Sequence, residues 1–171
     1  MKEEFTDSQL VDFLRRSYAA VDGLWFVKVE ELHGVDAALD MDQAIWEIMP
    51  KIQGRKAREV IGLSGTKLRD LAKAVQLKLT AEGYDYDADF DGEDFKLTIN
   101  VCPWYEILKA KDRISLAEKI QEKICKVELA AWCKEFSPDL ESEVEKRACI
   151  EDDCCDRCTI VFRYKQNMVK R

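Results

Sequence analysis

Histidine is almost absent from this chain of 171 residues, since His33 is the only one. A Ser-His-Asp or Cys-His catalytic centre would depend wholly on that residue, so the sequence disfavours both kinds of active site. Proline occurs three times and glycine seven times, which leaves no room for a disordered linker or a collagen-like segment. We therefore expect one domain over residues 1–171, with a helical region at 1–82 and a region of sheet and helices at 83–171.

Long apolar runs and an excess of positive charge are also lacking. No run approaches the roughly 20 residues of a membrane span, and the N-terminal MKEEFTDSQL has no apolar signal-peptide core. These features predict a cytoplasmic protein with no membrane partner. The formal net charge of −7 argues against a nucleic-acid partner, because binding to phosphates requires a basic face.

The first eighty residues have the three- and four-residue apolar spacing of helices. The first predicted helix begins near Asp7 or Ser8 and ends at Gly34, and a second region from Asp36 is interrupted by Pro50. A third predicted helix covers residues 66–81. The N-terminal part of the chain is therefore expected to consist of packed helices.

Alternating apolar residues then predict strands. YDYDADF and FKLTINV flank Asp91 and Gly92, which is the pattern of a hairpin. Helices are expected from Pro103 to about Phe136, followed by a second hairpin with strands at 143–150 and 158–165. The predicted fold class is α+β: N-terminal helices followed by a four-stranded antiparallel sheet of two hairpins, with helices between them packed on one face.

Cysteine, in contrast, is frequent, with seven in the chain. In a reducing compartment this number favours metal or thiol chemistry over structural disulfides. Cys155 and Cys158 have the spacing of metal and redox pairs, and Cys154 offers an alternative ligand at four-residue spacing from Cys158. The acidic neighbours in IEDDCCDRC raise thiol pKa values, which favours a cation site over a redox nucleophile.

Two further cysteines occupy distinctive positions. Cys102 ends a predicted strand just before Pro103, where the N-terminus of the next helix would lower the pKa of its thiol. Alternatively, Cys102 is a small residue that fills a tight corner between the strand and the helix. Cys125 shares a predicted helix face with Glu128 and Trp132. That face either lines a pocket or belongs to the core.

Several motifs spread over nearly the whole chain resemble one family. They are VDGLWFxKVEExxG from Val21 to Gly34, DxxxWxxxPKIQxR from Asp42 to Arg55, Cys102-Pro103, CxxE from Cys125 with Trp132, and CxxxF from Cys158. The sequence resembles an uncharacterised family of anaerobe and archaeal proteins related to the L-2-amino-thiazoline-4-carboxylate hydrolase family. It is also distantly similar to the 4-vinyl reductase-type domain, a small-molecule-binding module.

The resemblance implies that Cys102, Cys125 and Cys158 form one group. We expect their sulfurs to converge within about 4 Å as ligands of a zinc ion, with iron as the second choice of metal and Cys154 or Cys155 as a fourth ligand. In the resembling N-terminal stretches, Lys51 and Arg55 either bind an anionic ligand, with Arg55 as a carboxylate clamp, or form ion pairs on the rim of a helix bundle whose core holds the tryptophans.

These observations predict a small-molecule- or metal-binding domain with a cysteine-thiolate site. One alternative is a cysteine-dependent hydrolase that cleaves C–N or C–S bonds of a small cyclic amidine or thiazoline. Cys102 would then be the nucleophile and Glu128 the acid–base group, while Lys51, Arg55 and Trp132 would contact the ligand. The other alternative is a ligand-responsive sensor or adaptor. A small-molecule ligand and a homodimer are the expected partners.

Overall fold

The computed structural model describes residues 3–65, 67–147 and 157–166, so Cys149, Cys154 and Cys155 lie outside the described residues. The helices are α1 (Asp7–His33), α2 (Val35–Trp46), α3 (Met49–Ile61), α4 (Leu68–Glu82), α5 (Pro103–Ala110), α6 (Ala117–Ile120) and α7 (Lys126–Phe136). A single π-helical turn, Gln121–Cys125, joins α6 to α7. The predicted break near Lys111 separates α5 from the helical segment that follows.

Local signals set the ends of the longest helix. At the start of α1, the Thr6 side chain accepts a hydrogen bond from the Gln9 backbone, and the Gln9 side chain accepts one from the Thr6 N–H. At its end, Gly34 adopts φ 88°, a conformation that side-chain-bearing residues rarely take, and α2 begins at the next residue. The predicted helix boundary at Gly34 is confirmed.

The sheet has four antiparallel strands in the order β1-β2-β4-β3, namely β1 (Asp85–Asp91), β2 (Asp94–Val101), β4 (Cys158–Tyr164) and β3 (Leu140–Lys146). The two hairpins join where β2 pairs with β4 and Phe95 lies opposite Phe162. Strand β3 begins at Leu140, earlier than the predicted residue 143. The predicted α+β fold with an antiparallel sheet after the N-terminal helices is confirmed.

Helices α4 and α7 cover one face of the sheet. The largest group of buried side chains joins these two helices to the central strands, and its members include Leu71, Val75, Leu79, Phe95, Leu97, Trp132, Phe136 and Phe162. A smaller buried group lies around Leu39, Trp46 and Ile124, where α2 meets the π turn. Residues that point inward from α4 and α7 therefore enter the interior of the domain.

Helix α1 differs from the others, because none of its residues is buried although all of them are described. Large apolar side chains on α1 face outward, with Trp25 among the most exposed. The tryptophans expected in the core therefore divide: Trp46 and Trp132 are buried, while Trp25 lies on the surface.

Candidate functional site

The interior of the domain holds a lysine between two glutamates. Lys78 and Glu82 are one turn apart on α4, and Glu128 approaches from α7. The Lys78 Nζ is 2.6 Å from Glu128 Oε1 and 3.2 Å from Glu82 Oε2. The Lys78 side chain is only 8% exposed. Its burial disfavours the charged form, but the nearby Glu128 and Glu82 carboxylates outweigh burial and raise the pKa of Lys78 above its usual range. Lys78 is therefore a buried cation.

More acidic groups surround this ion pair than one lysine can neutralise. Burial raises the pKa of Glu82 although Lys78 pulls it down. Burial also raises the pKa of Asp22, and it raises that of Asp42 to about 7 with help from the negative charge of Asp22. Asp42 is therefore about half protonated at neutral pH, and this part of the interior attracts positive charge.

The structure places Cys102, Cys125 and Cys158 in one interior region, next to this acidic group. The negative charge of the Cys158 thiolate would raise the pKa of Cys102, and those of Cys102 and Cys158 would raise that of Cys125. Three widely separated segments supply these thiols: the start of α5, the π turn and the start of β4. The π turn adds one residue to the helical repeat and so fixes which face Cys125 occupies.

The predicted low pKa of Cys102 is wrong. Its thiol does interact with the backbone N–H groups of Tyr105 and Trp104 at the N-terminus of α5, which lowers the pKa. Burial is the larger effect, however, and the net result is a raised pKa. Burial and the charge of Glu128 likewise raise the pKa of Cys125 well above its usual value. Both groups are therefore neutral thiols at pH 7.

The expected metal site is also wrong. Over residues 3–65, 67–147 and 157–166, no group of three or more His, Cys, Asp or Glu side chains could hold a metal ion. Cys102, Cys125 and Cys158 therefore do not make up such a group, and the carboxylate of Glu128 is paired with Lys78.

The predicted ligand-contacting residues lie in different places. Arg55 is 72% exposed on α3 and pairs with Glu135 of α7 at 3.4 Å, away from the thiols. Lys51 lies near the start of the same helix and is partly buried. Trp132, at 1% exposure, is in the core and stacks on Phe136, with ring centroids 6.3 Å apart. Of these three residues, Trp132 lies next to the ion pair.

A small pocket opens beside Lys78. It has a volume of about 180 Å³, and α3, α4 and Trp132 line it. Its walls are mostly aliphatic, while Gln53, Lys78, Glu82 and Trp132 supply polar groups. Gln53 Nε2 donates to Glu82 Oε1 at 3.1 Å.

Two of the side chains that line this pocket have an unpaired polar atom. Gln53 Oε1 and Trp132 Nε1 are buried without a hydrogen-bond partner among the described residues, whereas Glu82 Oε2 lies 3.2 Å from Lys78 Nζ. An unpaired buried group costs about 1–3 kcal/mol. Both atoms belong to side chains of one pocket.

The residues Gln53, Lys78 and Glu82 were not identified from the sequence. A signal was nevertheless present: Lys78 and Glu82 continue the three- and four-residue spacing of Leu71 and Val75 on α4. Two charged residues in the register of a buried helix face predict a buried ion pair rather than a solvated surface.

A second and larger cavity lies between α7 and the edge strand β3. Its volume is about 760 Å³, within the range of small-molecule sites. Leu129, Ala130, Cys133, Leu140 and Val144 form its apolar part, and Lys126, Lys134, Arg147 and Lys165 lie around it. Burial raises the pKa of Cys133 to about 11, so this thiol is neutral as well.

Comparisons with known proteins now add the family and the fold. A model of a family of unknown function, DUF6125, matches residues 2–165, and the chain belongs to that family. No curated protein matches the chain. A solved structure of trafficking protein particle complex subunit 3 from Naegleria fowleri, covalently bound to palmitic acid, is similar over 94% of this chain and 98% of that one, with a TM-score of 0.54 and 14% identity.

This structural likeness concerns the fold alone. The similar protein is a subunit of a protein complex. The metal-binding expectation is contradicted because the described residues contain no group that could hold a metal ion. Among the described residues, no helix combines the length and the apolar character needed to cross a membrane.

Proposed function

We propose that this chain is a small-molecule-binding domain whose ligand occupies the pocket beside Lys78. The observation that carries the proposal is the pair of unpaired buried polar atoms, on Gln53 and Trp132, beside one cavity. A ligand that pairs with these atoms removes their unfavourable burial, so the fold supplies part of the binding energy.

The charges favour a ligand that donates hydrogen bonds. Of the two unpaired atoms, Gln53 Oε1 is an acceptor and Trp132 Nε1 is a donor. Glu82 adds a carboxylate acceptor beside them, 3.2 Å from Lys78. Lys78 faces two glutamates, and the pKa of Asp42 is raised nearby, so the surroundings hold more acid than base. A small organic ammonium ion therefore fits better than the carboxylate expected from Arg55.

The walls and the volume limit the rest of the ligand. Ala57, Val60, Ala74, Leu77 and Ala81 provide an aliphatic lining. A volume of about 180 Å³ corresponds to roughly six water molecules. We therefore expect an alkyl or small cyclic body of about five or six non-hydrogen atoms that carries one amino group.

A charge series of equal length tests this ligand class. Pentylammonium, pentanol and pentanoate have the same alkyl chain and differ in their polar group. The measurement is the indole N–H resonance of Trp132 in a ¹H–¹⁵N spectrum, assigned with Trp132→Phe. Pentylammonium should shift this resonance with a dissociation constant on the order of 1 mM. Pentanol should bind more weakly, and pentanoate should have the smallest effect.

Two variants supply the controls. Ala81→Phe fills the pocket from an exposed position and should abolish the shift, while Ala130→Phe makes the same change in the larger cavity and should preserve it. Glu82→Gln should weaken binding of pentylammonium without weakening that of pentanol, because it removes one charge and keeps the shape. An indole resonance that no member of the series moves would refute the proposed site.

A second candidate function, a lipid-responsive adaptor, is favoured by the cavity between α7 and β3. This cavity joins an apolar floor to a rim with four cationic side chains, of which Lys126 and Arg147 share Glu122. The similar trafficking subunit is a protein bound to palmitic acid. By analogy, the cavity would hold an anionic acyl chain, and its occupancy would alter contacts with a protein partner.

One further pair of ligands distinguishes the two candidate functions. Palmitate should raise the melting temperature of the wild type, and Ala130→Phe should suppress that effect while Ala81→Phe should not. Dodecylammonium has an apolar chain with the opposite charge. It should not stabilise the protein at this cavity, because the cationic rim repels its ammonium group. Equal effects of palmitate on both variants would exclude the cavity between α7 and β3 as the binding place.

A further inference from the structure

Helix α1 exposes more large apolar side chains than an ordinary surface helix. Its outward face carries apolar residues that are each 47–75% exposed: Leu10, Phe13, Leu14, Val21, Leu24, Trp25 and Leu32. Its inward face carries both polar and apolar residues that are partly buried, such as Arg15, Asp22, Phe26 and Val29. A surface helix usually turns its apolar side to the core and its polar side to water. Among the described residues, nothing covers the outward apolar face of α1.

The size of this face matches that of a protein interface. The seven apolar side chains expose on the order of 800 Å² together, which is about what one partner buries in a standard protein–protein interface. The largest apolar patch of an ordinary monomer is about 300–600 Å². Small residues, Ser17 and Ala20, occupy the middle of the same face and allow another helix to approach closely.

We propose that a second copy of this chain covers the face, with the two α1 helices packed antiparallel about a twofold axis near Ser17 and Tyr18. In this register Leu10 lies opposite Trp25 of the other copy, and Leu14 lies opposite Val21. Each apolar pair occurs twice because the contact is isologous. The overlap runs from residue 7 to residue 28, roughly 33 Å at 1.5 Å per residue.

Charge selects this arrangement over a parallel one. Lys28 and Glu31 are charged residues at the C-terminal end of the apolar face and pair with each other at 2.7 Å, while Asp7 lies at the acidic N-terminal end of the same side. The antiparallel register brings Lys28 of one copy to Asp7 of the other. A parallel pair would place Lys28 against Lys28. The antiparallel dimer therefore adds a second carboxylate to each Lys28, beside Glu31 of its own helix.

Sedimentation equilibrium of the full chain measures the oligomeric state and so tests whether a second copy covers the apolar face of α1. The wild type should be a dimer at micromolar concentration. Val21→Asp should weaken dimerisation on the order of 100-fold, because it buries a charge twice in the centre of the interface. Ile52→Asp is the matched control: Ile52 is 55% exposed on α3, outside the proposed contact, and this variant should dimerise like the wild type. Circular dichroism should show all three proteins folded, since neither Val21 nor Ile52 is part of the core.

A charge exchange tests the register. Lys28→Glu and Asp7→Lys should each weaken the dimer roughly tenfold, and the double variant should recover most of the loss. A wild type that stays monomeric at roughly 100 µM would overturn the proposal. So would equal effects of Val21→Asp and Ile52→Asp, or a double charge variant no better than the single ones. Binding of a monomeric wild type to phosphatidylcholine vesicles would assign the face to lipid instead and would also overturn it.

Discussion

Replacing Lys78 with methionine should destabilise the domain strongly, because the change leaves two glutamates buried without their cation. Lys78 Nζ is 2.6 Å from Glu128 Oε1 and 3.2 Å from Glu82 Oε2, and the side chains of the two glutamates are only 14% and 9% exposed. At an effective dielectric constant of about 20, each contact corresponds to roughly 5–6 kcal/mol of gross attraction. Desolvation of the three groups offsets most of this attraction.

The cost of the substitution is therefore set by the charges that remain. Removing one partner of a buried ion pair typically costs about 3–5 kcal/mol, a large fraction of the 5–15 kcal/mol that stabilises an ordinary domain. Urea unfolding followed by circular dichroism measures the change. Lys56→Met is the control, because Lys56 pairs with Glu59 on the surface, where both side chains are more than half exposed. Its cost should stay within about 0.5 kcal/mol.

The pH dependence identifies the cause of the loss. Without Lys78, the pKa of Glu82, which burial already raises, rises further above its unfolded value of about 4.3. The folded variant then binds more protons than the unfolded chain, so its stability falls as pH rises from about 4 towards the raised pKa of Glu82. The cost of Lys78→Met should be smaller at pH 5 than at pH 8, and adding Glu128→Gln should recover part of it. A cost below about 1 kcal/mol that is independent of pH would refute the buried ion pair.

Further predictions concern an acid, the thiols and two glycines. Asp42→Asn should stabilise the protein at pH 8 by about 1–2 kcal/mol after allowance for partial exposure and should have little effect at pH 4. The reason is that the folded state raises the pKa of Asp42 to about 7. Urea unfolding at both pH values measures the two effects. Cys102 and Cys125 should react with iodoacetamide at least tenfold more slowly in the native protein than in urea at pH 7.5, since burial keeps both thiols protonated. Peptide mass mapping separates them from the other cysteines. Equal rates in the native and unfolded protein would exclude the buried neutral state. Gly83→Ala should cost about 1 kcal/mol or more, because Gly83 ends α4 at φ 83° against Arg15. Gly23→Ala in α1 should instead be neutral or stabilising by up to about 1 kcal/mol, as nothing lies within 4 Å of the added carbon; thermal unfolding compares the two.

The order of secondary structure could be predicted because its signals are local. Gly34 ends α1, Pro103 begins α5, and the alternating residues around Asp91 and Gly92 form the β1–β2 hairpin. The start of β3 was predicted at residue 143 rather than Leu140, since LESEVEK lacks a strong apolar alternation. Its pairing with β4 places it in the sheet, and such pairing depends on residues far away in the sequence.

The chemistry of the site could be predicted only in part. Cys102 was correctly placed at a strand-to-helix junction, but its pKa depends on how deeply other segments bury it, and no local pattern shows that depth. The same limit explains Lys78. Its spacing on α4 shows that it shares the inward side of the helix with Leu71 and Val75, whereas its two glutamate partners become visible only after α7 is packed.

Helix α1 gives the third example, and it connects the two proposals. The apolar spacing of α1 predicts a helix but does not show whether the apolar face is covered. In the structure, the described residues leave that apolar face exposed. The opposite side contributes Asp22, whose charge raises the pKa of Asp42, and Tyr18, a neutral phenol whose pKa burial and the charge of Glu82 raise. If dimerisation fixes the position of α1, it also fixes the position of the α1 side chains that lie next to the Lys78 pocket. By thermodynamic reciprocity, a cation that binds in the pocket more tightly to the dimer must strengthen the dimer by the same factor. The dimer dissociation constant measured with and without pentylammonium would give that factor, and an unchanged constant would show that α1 does not transmit between the two sites.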